Sequence, residues 1–93
     1  MTSLSLFPLG QILATPGALE TLDQSRDNLA LFLMWHSCGQ WGDLCAEDRK
    51  ANDDALSDGG RILSAYHLRS GVKLWIITEA DRSATTALLP EEY

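Results

Sequence analysis

Hydrophobic and polar positions follow different patterns in the two parts of the chain. Residues 16–57 are divided by helix caps and glycine stops into three segments with helical spacing, whereas residues 61–89 are rich in β-branched and aromatic side chains. The segment 4–14 mixes β-formers with Pro8 and Gly10, which is typical of an edge strand or an extended arm. The pattern predicts an α+β fold in which an N-terminal strand and three helices precede a three-stranded antiparallel meander packed on the helices.

Capping residues set the expected helix limits. Thr15, Ser25 and Asp43 are expected to be N-caps, since their side-chain oxygens can accept hydrogen bonds from free backbone N–H groups. Pro16 fits the first helical position, where its missing N–H is harmless. The helices are expected at residues 16–24, 26–37 and 44–57, with glycine stops at Gly39 and at Gly59-Gly60.

The second predicted helix is apolar around nearly its whole circumference. One face carries Leu29, Phe32, Leu33 and His36, and the other carries Leu31, Met34 and Trp35. A helix of this kind has to be covered on both sides. We therefore expect either the rest of the chain or a second copy to cover it.

The meander is expected at residues 61–68, 72–79 and 85–89. Taking Ser70-Gly71 as a two-residue hairpin turn places Tyr66 opposite Trp75. This register predicts a helix-facing set of Leu63, Ala65, Val72, Leu74 and Ile76. The other face would carry Ile62, Tyr66, Leu68, Trp75 and Ile77, and is apolar enough to require another element or a partner.

Length and charge narrow the class of protein. The 93 residues predict one domain spanning residues 1–93, and 13 acidic against 7 basic side chains give a net charge of −6. A negative field repels phosphate backbones and anionic lipid, so direct nucleic-acid or membrane binding is not expected. A basic partner surface is compatible with this charge.

The compartment is expected to be the cytoplasm. No apolar stretch approaches the about 20 residues of a membrane span, and the N-terminus lacks the basic region and long apolar region of a secretion signal. The two cysteines, Cys38 and Cys45, are too few for a secreted disulfide scaffold and are expected to be reduced.

The potential metal ligands and nucleophiles are not spaced along the sequence as they are in known metal or catalytic sites. His36, Cys38, Cys45 and His67 lack the close ligand pairs of a structural zinc site, and neither a Cys–His pair nor the set Ser83, His67 and Asp81 follows a known catalytic pattern. We predict no metal, no cofactor and no catalytic residue. Two alternatives stay open: a small hydrolase or modifying enzyme that uses Asp48, Asn52, His67 or Asp81, and an accessory subunit that dimerises through the second helix.

The third predicted helix carries an acidic stripe. Asp43, Glu47, Asp54 and Asp58 lie within about 60° of one another on the helical wheel. The stripe is either a solvated face or a binding surface. Asp54 and Asp58 lie toward the negative end of the helix, where carboxylates are unfavourable, so another group has to compensate for them. On the opposite side, Asp48 and Asn52 are expected to need polar partners.

A charged turn follows the second predicted strand of the meander. Glu79, Asp81 and Arg82 there form either a polar binding corner or a structural turn. In the structural alternative, Asp81 accepts backbone hydrogen bonds and Arg82 pairs with Glu79.

Several segments resemble small proteins carried by plasmids and other mobile elements of proteobacteria. They are Trp41-Gly42-Asp43-Leu44, Ala51-Asn52, Leu63-Ser64-Ala65-Tyr66 and residues 75–83, and the likeness runs from about Phe7 to the end. A restriction–modification label is attached to that group, but the chain has no methyltransferase glycine loop. The resemblance implies a setting, because mobile elements carry small acidic inhibitors of restriction or CRISPR systems, to which this chain is similar in size and charge.

These observations predict a non-enzymatic inhibitor or adaptor. Its partner is expected to be a basic surface of a nucleic-acid-binding protein complex, and a homodimer is compatible with the pattern. The predicted partner-binding residues are Asp43, Glu47, Asp54, Asp58, Tyr66, Trp75, Glu79, Asp81 and Arg82.

Overall fold

The computed structural model describes residues 5–93 and has α+β architecture. Its elements are β1 (Gln11–Ala14), α1 (Pro16–Ser25), α2 (Leu29–Ser37), α3 (Ala46–Asp58), β2 (Ile62–His67), β3 (Lys73–Thr78), β4 (Ala84–Leu88) and a 3₁₀ turn (Pro90–Glu92). The predicted α+β class and the three helices are confirmed. None of the helices within residues 5–93 is long and apolar enough to cross a membrane.

The sheet has four strands and is mixed, with the order β1-β4-β3-β2. Strands β2, β3 and β4 form an antiparallel meander, and β1 adds to it in parallel with β4. The N-terminal strand is thus part of the sheet, and it is shorter than the predicted segment 4–14, of which Leu4 lies outside the described residues. Gly10 explains where it begins: its φ of +65° interrupts the extended backbone, and a side chain there would collide with the Arg82 and Ser83 carbonyls.

The observed register of the hairpin between β2 and β3 differs from the predicted register by one residue. Tyr66 pairs with Leu74, and Ala65 pairs with Trp75, so Tyr66 and Trp75 lie on opposite faces. The reason is the loop: Leu68 and Val72 close it by a backbone hydrogen bond, which leaves three loop residues, with Gly71 at φ +90°. A three-residue loop that ends in a left-handed residue shifts the pairing by one residue, which turns the β2 side chains to the face opposite the predicted one.

The helix-facing side of the sheet therefore differs from the predicted one in β2, whereas Leu74 and Ile76 of β3 face the helices as predicted. This side carries Ile62, Ser64, Tyr66, Leu74, Ile76 and Thr78, all of which are buried. The main hydrophobic core joins this face to α1 and α2 through Ala18, Leu22, Phe32, Tyr66, Leu68, Leu74, Ile76, Ala87 and Leu89. A second cluster contains Phe7, Trp41, Ala55 and Ile62.

One of the three predicted N-caps is confirmed. Thr15 accepts a hydrogen bond from the Ala18 N–H, and Pro16 opens α1. Ser25 is instead the last residue of α1, and Asn28 caps α2 by accepting from the Ala30 N–H. Asp43 lies before α3, because its N–H donates to the Ala65 carbonyl at the edge of β2.

Within residues 5–93, helix α2 is covered on one side only. Phe32 and His36 are buried and Trp35 is half-buried, whereas Leu31 and Met34 are 40% and 53% exposed. Residues 5–93 therefore do not provide the expected cover on both faces. Coverage by a second copy stays a prediction.

Candidate functional site

Helix α3 is attached to the outer edge of β2 through a small number of side chains. Asn52 and Ala55 are buried, and Leu56 is partly buried. The Asn52 amide nitrogen donates to the Leu63 carbonyl at 2.6 Å, and its oxygen accepts from the Leu63 N–H at 3.0 Å. The carboxamide thus takes the place of a neighbouring strand, and α3 is held firmly with most of its surface in solvent.

The exposed side of α3 carries the acidic face, which we define as Glu47, Asp54 and Asp58. Helical spacing places these three carboxylates on one side. Asp54 pairs with Lys50 at 2.9 Å, a hydrogen bond that raises the pKa of Lys50. Within residues 5–93, neither Glu47 nor Asp58 has an ion-pair partner. Asp58 acts on Lys50 only through space, so the Glu47 and Asp58 carboxylates stay open to solvent or to a partner.

Asp43 does not belong to this face, although the sequence placed it there. It precedes α3, and its carboxylate lies 3.7 Å from Nδ1 of His67, with both side chains largely exposed. An exposed contact of this kind contributes little to stability. The predicted four-residue stripe is thus a three-residue face.

Arg82 binds the backbone at the C-terminal end of α3. Its guanidinium donates to the Ala55 carbonyl at 3.0 Å and to the Gly60 carbonyl at 2.6 Å, and it lies 5.6 Å from the centre of the Phe7 ring. A cation at the negative end of a helix is favourable. The carboxylates at this end of the helix are themselves compensated by Lys50, which pairs with Asp54 and whose pKa is raised by Asp54 and, more weakly, by Asp58.

The charged turn between β3 and β4 is held by its own hydrogen bonds. Asp81 accepts from the Ser83 N–H at 3.0 Å, and bonds from Ser83 lower the pKa of the Asp81 carboxyl. Glu79 lies 3.5 Å from Arg61, and Arg82 bonds to the Glu79 carbonyl rather than to its carboxylate. The predicted pairing of Arg82 with the Glu79 side chain is therefore wrong.

Tyr66 and Trp75 do not form a common surface. Tyr66 is buried with its ring stacked on Phe32 at 5.2 Å, and its hydroxyl donates to the Gln40 carbonyl at 2.6 Å. Burial raises the Tyr66 pKa to about 12. Trp75 is half-buried on the other face, where its ring meets Tyr93 edge-on at 5.7 Å.

A buried polar chain crosses the sheet beneath α2. His36 Nδ1 lies 2.5 Å from Ser64 Oγ, and His36 Nε2 lies 2.8 Å from Thr78 Oγ1. Thr78 Oγ1 in turn lies 2.7 Å from Thr85 Oγ1, whose hydroxyl donates to the Leu9 carbonyl. The chain therefore connects β2, β3 and β4 with the segment that leads into β1.

The donor and acceptor of each hydrogen bond in this buried network can be assigned from the group at its end, the Leu9 carbonyl. Because the Leu9 carbonyl can only accept, Thr85 donates to it and Thr78 donates to Thr85. His36 Nε2–H then donates to Thr78, and His36 Nδ1 accepts from Ser64. This is the neutral imidazole, and burial lowers the His36 pKa to about 4. Ser64, Thr78 and Thr85, which bond to the imidazole or extend its hydrogen-bonded network, are fully buried. This network is therefore structural.

The sequence signal for this polar network was a small hydroxyl residue within each of the strands β2, β3 and β4. Ser64, Thr78 and Thr85 point to the same face of the sheet as buried apolar residues. Buried hydroxyls need partners, and His36 at the end of an apolar helix is the group that can supply them.

A cleft of about 490 Å³ lies beside the first turn of α3 and was missed by the sequence analysis. Its lining residues are Trp35, Gly39, Gln40, Trp41, Gly42, Arg49 and Tyr66. The Arg49 guanidinium is held there by the Gly42 and Leu44 carbonyls. The cleft can accept a flat apolar group that carries a hydrogen-bond acceptor.

Most residues of the alternative sites are kept apart or engaged elsewhere, whereas Asp48 is exposed in the first turn of α3. Asp81 and Ser83 lie in the turn at one end of β3, whereas His67 lies opposite the other end, so they do not form a triad. Both nitrogens of His36 are already bonded, and Asn52 is held by Leu63. In the described part of the chain, no three His, Cys, Asp or Glu residues are grouped closely enough to hold a metal ion. Both cysteines are free thiols.

Comparisons with family models, with curated proteins and with solved structures gave no match. Function is therefore inferred from the residues and their geometry.

Proposed function

We propose that the chain is a non-enzymatic acidic binding protein that occupies a basic surface of a nucleic-acid-handling protein. The observation that carries this proposal is the acidic face of α3, whose carboxylates at Glu47 and Asp58 have no ion-pair partner within residues 5–93. A folded domain can neutralise such groups internally, and this one leaves them in solvent.

The attachment of α3 also supports a binding role. Asn52 fixes the middle of the helix to β2, and Arg82 fixes its C-terminal end to the turn after β3. A helix held at two points presents its charges in one fixed arrangement, so a partner does not have to order them on binding. With a net charge of −6, the same surface attracts basic proteins and repels nucleic acid.

The resemblance to mobile-element proteins suggests the kind of partner. A restriction or CRISPR-type defence complex has a basic channel for nucleic acid, and an acidic helix can compete for such a channel. We propose this class of target, with inhibition by occupation of the basic surface as the mechanism.

A pull-down from a host that carries such systems tests the proposal. Three baits are compared: the parent chain, the α3 variant Asp54→Lys/Asp58→Lys, and the control Glu20→Lys/Asp23→Lys, which makes the same change in net charge on exposed positions of α1. We expect a basic nucleic-acid-handling protein with the parent and the control, and its loss with the α3 variant. Equal recovery by all three baits would contradict the proposal.

A further inference from the structure

Strand β1 leaves one edge of the sheet open. The Gln11 N–H bonds to the Ser83 carbonyl at 2.9 Å, and the Thr15 N–H bonds to the Ala87 carbonyl at 3.0 Å. Because parallel strands bond through alternate residues, Ile12 and Ala14 direct their N–H and C=O groups away from β4. Within residues 5–93, no other segment pairs with this outer edge.

The open edge has the composition of an interface. Its residues, Gln11-Ile12-Leu13-Ala14, carry no charge, and Ile12 and Leu13 are 43% and 41% exposed. Exposed edge strands are usually protected by charged side chains, bulges or a covering element. In the described part of the chain, the protection of this edge is limited to the short length of the strand and to Pro8 and Pro16.

We propose that β1 pairs antiparallel with β1 of a second copy, about a twofold axis at Leu13. Ile12 of each copy then exchanges both backbone hydrogen bonds with Ala14 of the other. Leu13 faces Leu13 in the position without hydrogen bonds, where side chains are closest. The two four-stranded sheets become one continuous sheet.

The charge distribution favours a second copy as the occupant. The acidic helix α3 packs on β2, which is the opposite end of the sheet from β1. At about 4.8 Å per strand, the two β2 strands of the dimer lie more than 30 Å apart, well beyond the screening length in physiological salt. The paired strands carry no charged side chain, so the copies meet without like charges directly opposite each other. This inference does not depend on what the acidic face binds.

Sedimentation velocity on the complete chain tests the dimer. We expect a species with twice the 10.2 kDa mass of one chain at about 0.1 mM protein. Leu13→Lys places like charges opposite each other and should weaken the dimer at least about tenfold. The matched control is Leu31→Lys on α2, because Leu31 is 40% exposed and Leu13 is 41% exposed. A monomeric parent, or a dimer lost in Leu31→Lys and kept in Leu13→Lys, would overturn the proposal.

Hydrogen exchange of the parent gives a second readout that needs no variant. The amides of Ile12 and Ala14 should exchange more slowly as protein concentration rises, since they become bonded only in the dimer. The Leu13 amide is already directed at β4 and should change little. Concentration-independent exchange at Ile12 and Ala14 would overturn the proposed pairing.

Discussion

The two edges of the sheet differ in whether their outward backbone groups have hydrogen-bond partners. At β2, the Asn52 carboxamide bonds both backbone groups of Leu63, and the segment containing Trp41 and Asp43 bonds both backbone groups of Ala65. At β1, the outward groups of Ile12 and Ala14 have no such cover. The closed edge supports the acidic helix, and the open edge is uncharged. The molecule thus separates the surface that we expect to bind a basic partner from the surface that we expect to bind its own copy.

The buried polar chain joins these two ends. It begins at Ser64 in β2, passes through His36, Thr78 and Thr85, and ends at the Leu9 carbonyl just before β1. This buried network requires His36 to stay neutral, because burial disfavours the charged imidazole. The stability of the whole sheet should therefore respond to pH through this residue.

The largest expected effect is the pH dependence of unfolding. The His36 pKa is about 4 in the folded protein and 6.5 without burial, so the unfolded chain takes up the proton first as pH falls. Stability is then fully present above pH 6.5 and decreases toward pH 4, by about 3 kcal/mol in total. Urea unfolding across this range measures it. In His36→Gln, the part of the slope of unfolding free energy against pH that is due to His36 should vanish. An unchanged slope would show that carboxylates cause the pH dependence.

The closed edge should be sensitive to Asn52. Asn52→Ala leaves the Leu63 N–H and C=O without partners under α3, and we expect a loss of about 2 to 3 kcal/mol in the free energy of unfolding. Urea unfolding at neutral pH measures it. A loss below about 0.5 kcal/mol would mean that water replaces the carboxamide and that the edge is not closed by it.

Arg82 should have a smaller effect on the same helix. Arg82→Ala removes the donors to the Ala55 and Gly60 carbonyls and the cation at the end of α3, and should cost about 1.5 kcal/mol. Arg82→Lys keeps the charge without the planar fork and should recover part of this loss. Thermal unfolding compares the three proteins, and equal stability of the Ala and Lys variants would exclude a contribution from charge.

The open edge should be nearly insensitive within one chain. Leu13→Lys changes an exposed position that no other segment covers, and the stability of the monomer should change by less than about 0.5 kcal/mol. Urea unfolding at low protein concentration measures it. A loss comparable to that of Asn52→Ala would mean that Leu13 contributes to the core, and the contrast between the edges would fail.

Local rules predicted what depends on neighbouring residues. Thr15-Pro16 opens α1 as expected, because a cap and a first-turn proline act within three residues. The hairpin register was missed because Ser70-Gly71 is part of a three-residue loop, and this depends on the backbone angle of Gly71. Asp43 was misassigned as a cap because the edge of β2 uses its N–H.

Contacts between distant residues could not be predicted from the sequence. β1 pairs with β4, which lies at the other end of the chain. The spacing of apolar residues within a segment does not indicate which distant strand it pairs with. His36 meets partners 28 and 42 residues away, and Arg82 reaches back 27 residues to Ala55. The acidic face, in contrast, depends only on helical spacing, and for Glu47, Asp54 and Asp58 the predicted arrangement is observed.

The most direct test of the functional claim is the affinity for the captured partner, measured against salt. Asp54→Lys/Asp58→Lys should weaken binding at least about tenfold at low salt, mostly through slower association, and should reduce the salt dependence. The control Glu20→Lys/Asp23→Lys should stay within about threefold of the parent, since α1 is away from the acidic face. Equal weakening by both variants, or parental affinity of the α3 variant, would contradict a specific role for the acidic face.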